Sequence, residues 1–264
     1  GDHQGRGPDQ LHQREAVRRG FRERWRNMVF GVILAGGVGS RMGNAQKPKQ
    51  YLELGSKPIL IHTIGKFMVH QEFQELIVLC PKPWMEHTKN IIEKYLPELG
   101  DHIVVLEGGS TRNETIMNSI AHIEESYGLD DETIIVTHDS VRPFLTYRII
   151  EENIEAARKY GACDTVIPAT DTIVVSEDHQ KITEIPERTK MYQGQTPQSF
   201  QAKKLRELYQ SLTQQEKDIL TDASKIFTMK GEPVYLVEGE VFNIKITYPY
   251  DLRVAQSLIK EQDI

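Results

Sequence analysis

The sequence predicts an α/β fold with a mostly parallel, twisted sheet covered by helices on both faces, and three observations carry that prediction. From Met28 onward, short β-branched runs that are apolar throughout alternate with longer helical patterns, as strands buried on both sides require. The 264 residues are 39% hydrophobic and 27% charged, enough to bury one large core. No internal repeat or low-complexity tract interrupts the alternation.

In chain order, the apolar runs predict strands at Val29–Ala35, Leu76–Cys80, Ile103–Leu106, Thr133–Thr137, Thr165–Ile167 with Thr172–Val175, Val234–Val237 and Ile244–Thr247. Between them, helical patterning predicts helices near Ile59–Phe67, Pro83–Tyr95, Thr111–Tyr127, Tyr147–Tyr160, Lys203–Leu212 and Pro249–Lys260. Residues 28–264 are expected to form a single domain. Residues 1–27 differ in composition: seven Arg, no Lys and four acids give a local +3, leaving −9 for the remainder of a chain whose net charge is −6. This basic segment reads either as an arm for nucleic acid or membrane, or as a disordered or vector-derived leader, and it is set apart from the fold.

The overall negative charge argues against a general nucleic-acid binder, which needs a positive field. No apolar run is long enough to insert in a membrane. Cys80 and Cys163 lie in apolar stretches and form no disulfide framework, which fits a reducing cytoplasm.

In open parallel sheets, ligands bind beyond the carboxyl ends of the strands, so the loops there carry the functional signal. After the first strand comes Gly36-Gly37-Val38-Gly39-Ser40-Arg41-Met42, then Pro48-Lys49-Gln50. Glycines there let backbone N–H groups approach an anion, although an ordinary strand-to-helix turn has the same composition. The dinucleotide fingerprint fails because Met42 stands where its third glycine belongs, and no Gly-Lys-Ser/Thr closes a Walker loop. Arg41 and Lys49 are cations placed beside a candidate phosphate cradle. A second loop, Glu107 to Thr115, opens a helix at Thr111 and Glu114 with capping-box spacing, and offers free amides to an anion. In a third, Asp139 follows a strand directly, where a carboxylate suits magnesium or a turn; His138 reads as structural.

Taken with Gln195-Thr196-Pro197-Gln198 and Asn243-Ile244-Lys245, these loops resemble the sugar-phosphate cytidylyltransferases, over nearly all of residues 28–264. The family includes methylerythritol-phosphate and ribitol-5-phosphate enzymes. His138-Asp139-Ser140-Val141-Arg142-Pro143-Phe144, Tyr192 to Gln198 and Leu220 to Lys225 look most like the ribitol branch. The resemblance implies a Rossmann-like nucleotidyltransferase fold with a protruding β-arm at about 170–192 that clasps a second subunit in a homodimer. It implies transfer of CMP from CTP to ribitol 5-phosphate, giving CDP-ribitol for teichoic-acid type polymers. The alternatives are methylerythritol phosphate as acceptor, or a non-catalytic nucleotide-binding module.

By the same resemblance, Arg41 and Lys49 stabilise charge on the triphosphate and Asp139 binds Mg²⁺. CTP is held by Leu34, Ala35, Gly36, Gly37, Gly108, Gly109, Ser110, Thr111, Arg112, Asn113, Glu114, Thr115 and Ser140, with Thr115 facing the cytosine. Arg188 and Lys245 position the acceptor's phosphate. Phe242 stands where the methylerythritol branch has a second acidic metal ligand, so Asp139 is the one acidic ligand the resemblance implies here.

Overall fold

The computed structural model describes residues 28–37 and 47–262. Its strands are β1 (Val29–Leu34), β2 (Glu53–Leu54), β3 (Lys57–Pro58), β4 (Phe73–Cys80), β5 (Ile103–Glu107), β6 (Ile134–Asp139), β7 (Ala162–Pro168), β8 (Tyr192–Gln201) and β9 (Tyr235–Glu238). Its helices are α1 (Ile59–Met68), α2 (Met85–Tyr95), α3 (Arg112–Tyr127), α4 (Tyr147–Tyr160), α5 (Ala202–Gln210), α6 (Gln214–Asp218), α7 (Ala223–Met229) and α8 (Pro249–Gln262). None is long and apolar enough to cross a membrane among the described residues.

The expected sheet is present, with strand order β5-β4-β1-β6-β8-β7-β9. Strand β1 is buried along its whole length and pairs in parallel with β4 and β6, while β8 runs antiparallel between β6 and β7. Helices α1, α2 and α4 cover one face through Ile64, Phe67, Ile91 and Ile150; α3, α5 and α7 cover the other through Ile120, Leu205 and Phe227. Register sets the site: Leu34 lies opposite both Leu79 and Asp139, and Cys80 opposite Glu107, so four parallel strands end at one edge.

Two expected strands are not strands. At Ile244–Thr247 the chain is a loop, because Ile246 N–H donates to Val141 O and the Thr247 and Tyr248 amides are taken by the Asp251 carboxylate, leaving no ladder. At Thr172–Val175 only Val175 bridges, to Glu184, within an exposed excursion closed at its base by Ala169 N–H to Met191 O. The excursion covers the residues for which an arm is expected, and Val174, Ile182 and Ile185 stand exposed along it.

Strand β8 was not expected from its Gly, Pro and Gln content. Its interior is polar and largely hydrogen-bonded: Thr137 and Thr165 hydroxyls donate to Gln198 O (2.6 Å) and Pro197 O (2.7 Å), where the β7–β8 register shifts, while Gln198 Oε1 is buried without a partner. Gln198 donates through Nε2 to both Asp164 (3.2 Å) and Asp222 (3.1 Å). Burial pushes the Asp164 carboxyl up to about 7, the Gln198 donor opposes this, and the neighbouring Asp222 charge adds to it. The folded protein thus keeps a proton that the unfolded chain releases near 4, so stability is lost as pH rises from about 4 to about 7. Asp164→Asn is expected to remove that slope in pH-resolved thermal melts, raising Tm by about 2–4 °C at pH 8 and not at pH 4. An unaltered slope would exclude Asp164 as its source.

Candidate active site

At the shared edge lies a cleft lined by Leu34, Gly36 and Gly37 after β1, Lys49 and Gln50 from a short 3₁₀ turn, Gly109 to Arg112 and Thr115 around the start of α3, Asp139 to Val141 after β6, and Lys245. An added Cβ on Gly36 or Gly37 would meet nothing within 4 Å, so both face the open cleft. Gln50, 1% exposed, donates through Nε2 to Ala35 O (2.8 Å) and Gly37 O (3.0 Å). One amide therefore ties the glycine loop to the turn that carries Lys49.

The second loop folds onto the N-terminus of α3. A Cβ at Gly109 would fall 2.6 Å from Glu114 Cβ and 3.0 Å from Thr115 N, so only glycine permits the approach. Thr111 caps the helix by accepting from Glu114 N–H at 3.1 Å. The expected capping box is not closed, because the Glu114 carboxylate accepts from Ser110 N–H (3.0 Å) and from the Ser110 hydroxyl rather than from the cap residue. The Thr115 hydroxyl donates to Thr111 O (2.9 Å) and accepts from Gly109 N–H (3.0 Å), which braces the turn.

Asp139 is 6% exposed and accepts from Arg112 Nη1 at 2.6 Å and Arg142 Nε at 3.0 Å. Burial alone would raise its carboxyl; Arg112 first, then Arg142 and Lys245, overcome this and hold it well below the usual carboxylate range. His138 beside it is fully buried, and desolvation pushes its imidazole down to about 4, so it is neutral and structural, as the sequence suggested. Ser140 donates its N–H to Leu34 O (3.1 Å) and accepts at its own carbonyl from Thr63 (2.7 Å), which joins the ends of β1 and β6.

The structure thus gathers Leu34, Gly36, Gly37, Lys49, Gly109, Ser110, Thr111, Arg112, Thr115, Asp139, Ser140 and Lys245 in one place. Ala35, Gly108, Asn113 and Glu114 adjoin the lining residues in sequence but are not part of the lining: Ala35 and Gly108 are tied by N–H bonds to Leu79 O and Cys80 O, and Asn113 is buried on α3. Arg188 lies elsewhere, exposed on the arm and donating to Thr170 O at 3.3 Å. Arg41 and residues 1–27 fall outside the described residues. Sequence reading assigned no role to Gln50, Val141, Arg142 or Asn243, although each stands in or beside a motif it singled out.

A magnesium ion takes one or two carboxylates and completes its shell with water and phosphate oxygens. Asp139 offers one hard carboxylate whose two oxygens each accept a single guanidinium bond, which leaves lone pairs for a cation. The donor set fits. No cluster of three or more His, Cys, Asp or Glu suited to a metal occurs among the described residues, and Phe242, 40% exposed, supplies no ligand.

A family model described as 2-C-methyl-D-erythritol 4-phosphate cytidylyltransferase matches residues 29–261. Among solved structures, the chain is similar to a 4-diphosphocytidyl-2C-methyl-D-erythritol synthase from Anaerococcus prevotii, at 28% identity and TM-score 0.73, covering 89% of this chain and 97% of that one. It is similar also to the 2-C-methyl-D-erythritol 4-phosphate cytidylyltransferase from Thermus thermophilus, at 28% identity and TM-score 0.67, covering 88% and 99%. The Francisella tularensis enzyme described by the same name matches at 25% identity and TM-score 0.72, with the same coverage.

Proposed function

The chain belongs to the 2-C-methyl-D-erythritol 4-phosphate cytidylyltransferase family, and from that membership we propose that it transfers CMP from CTP to the phosphate of a five-carbon polyol monophosphate. It is a cytidylyltransferase. The observation that carries the reading of the site is the convergence of Lys49, Arg112 and Lys245 with Asp139 in a cleft walled by a glycine loop and a helix N-terminus.

In the reaction, an acceptor phosphate oxygen forms a bond to the α-phosphorus of CTP while the bond to the β-phosphate oxygen breaks, releasing pyrophosphate. Charge builds on the α-phosphoryl oxygens and the leaving group. Lys49, Arg41 and the N-terminal amides of α3 oppose that charge, and the work is electrostatic rather than covalent. Arg112, the more exposed of Asp139's two partners, is the cation placed to exchange a carboxylate for a phosphate. Asp139 would hold Mg²⁺, which when bound neutralises phosphate charge. Lys245 holds the acceptor's phosphate in register.

The family and the named neighbours favour methylerythritol phosphate over the ribitol 5-phosphate expected from the motif wording. Ribitol 5-phosphate stays as a second reading on one observation, the apolar Phe242 immediately before Asn243-Ile244-Lys245. Pyrophosphate release measured in parallel with the two acceptors decides between them: a kcat/KM at least tenfold higher for one names it, and equal values discard both as the specific acceptor.

The exposed apolar arm supports a homodimer in which Arg188 reaches the partner's acceptor site. Buried unpaired Cys80 and Cys163 are in keeping with a cytoplasmic setting. Arg188→Ala is expected to raise KM for the acceptor at least tenfold while leaving CTP affinity unchanged. With acceptor held well below the raised KM, mixing Arg188→Ala chains with Lys49→Ala chains is expected to give more activity than the two separately, since some mixed dimers hold one intact site; no gain in demonstrated mixed dimers would place the site within one chain.

A further inference from the structure

We propose that Thr196 is a positioning residue, the keystone of a closed ring of hydrogen bonds that presets Asp139 and the Lys245 loop relative to each other. The proposal rests on the cleft being the site of cytidylyl transfer. It concerns β8, whose polar interior no part of the mechanism above uses.

The directions of the bonds follow from elementary donor and acceptor chemistry. His138 Nε2 lies 2.9 Å from Arg142 O, and a carbonyl only accepts, so Nε2 carries the proton. Thr196 Oγ1 already accepts a backbone N–H, that of Asp139 at 3.1 Å, so its own proton goes to its other partner, His138 Nδ1, at 2.8 Å. Thr196 therefore uses its hydroxyl in both senses, and neither bond survives its loss.

The ring closes through the backbone of Thr196. Its carbonyl accepts from Asn243 Nδ2 at 2.9 Å, Asn243 O accepts from Arg142 Nη1 at 2.8 Å, and Arg142 Nε returns to the Asp139 carboxylate at 3.0 Å. Asn243 stands two residues before Lys245, and its side chain also reaches Gln195 Oε1 at 3.1 Å. The orientation of Asp139 and the placement of Lys245 thus depend on the same atoms. His138 and Asn243 are fully buried, and Thr196 and Asp139 are 4% and 6% exposed, so water cannot replace a lost partner.

Thr196→Val keeps the shape and removes the hydroxyl; Thr196→Ser keeps the hydroxyl. The expected result is a kcat lowered about 10- to 100-fold in Thr196→Val, with KM for CTP changed less than about threefold, and a kcat within about threefold of the original protein in Thr196→Ser. Nitrogen-15 spectra of the unsubstituted protein are expected to show His138 as the Nε2–H tautomer with a hydrogen-bonded Nδ1, and Thr196→Val to lose that Nδ1 bond. Unchanged kcat in Thr196→Val, an equal loss of kcat in a folded Thr196→Ser, or an Nδ1–H tautomer would each overturn the proposal. The tautomer is read on the unsubstituted protein, so it decides the matter even if the valine variant does not fold. Absence of turnover in the unsubstituted protein with every polyol phosphate would instead overturn the functional reading, and the tautomer would still test the ring.

Discussion

Asp139→Asn lowers kcat by about 10³-fold or more, the steepest loss expected from any single substitution in this protein. The amide preserves the volume at the end of β6 but removes the charge between Arg112 and Arg142, which lie 2.6 and 3.0 Å from the carboxylate. The two guanidiniums then lose the carboxylate that both of them bond, and the hard oxygen donor suited to magnesium is weakened. Steady-state turnover across a magnesium titration measures both consequences. A rate equal to that of the unsubstituted enzyme at limiting magnesium would show that Asp139 holds no metal during catalysis. Thermal melts on the same sample separate this from global unfolding, since some loss of Tm is expected from the partly unpaired arginines.

Lys49→Ala follows, with kcat reduced about 10²- to 10³-fold, the order for removing one preorganised donor to transition-state charge. Gln50 fixes the glycine loop to the turn that carries Lys49, so the rest of the cradle keeps its geometry when the ammonium is removed. A rise in KM for CTP with kcat unchanged would place Lys49 in ground-state binding instead.

Much of this arrangement was legible in the sequence, for a physical reason. Strands β1, β4 and β6 carry apolar runs where the sheet is covered on both faces, and the loops that hold the site's glycines, helix cap and acid follow β1, β5 and β6 directly. Helix α4, Tyr147–Tyr160, matched its expected bounds because Thr146 caps one end and Gly161, at φ +90°, ends the other. Strand β8 was not legible, since a segment stabilised by buried side-chain hydrogen bonds has neither apolar alternation nor β-branched enrichment. The partners of Asp139 were illegible likewise: Arg112 lies 27 positions away and meets it only because β5 and β6 end at the same edge. Nor did spacing show that Gln50 clamps Ala35 and Gly37, or that Asn243 anchors the Lys245 loop, because these contacts exist only once the sheet has formed.

Cytidylyl transfer to a polyol phosphate at this cleft can be put to a coupled pyrophosphate assay. It would use the full chain, CTP, magnesium and a panel holding 2-C-methyl-D-erythritol 4-phosphate and D-ribitol 5-phosphate. The expected outcome is stoichiometric release of pyrophosphate with formation of a CDP-polyol for at least one acceptor, and its loss in Lys49→Ala and Asp139→Asn. No pyrophosphate with any acceptor on the panel, from folded protein that binds CTP, would be incompatible with cytidylyl transfer at this site.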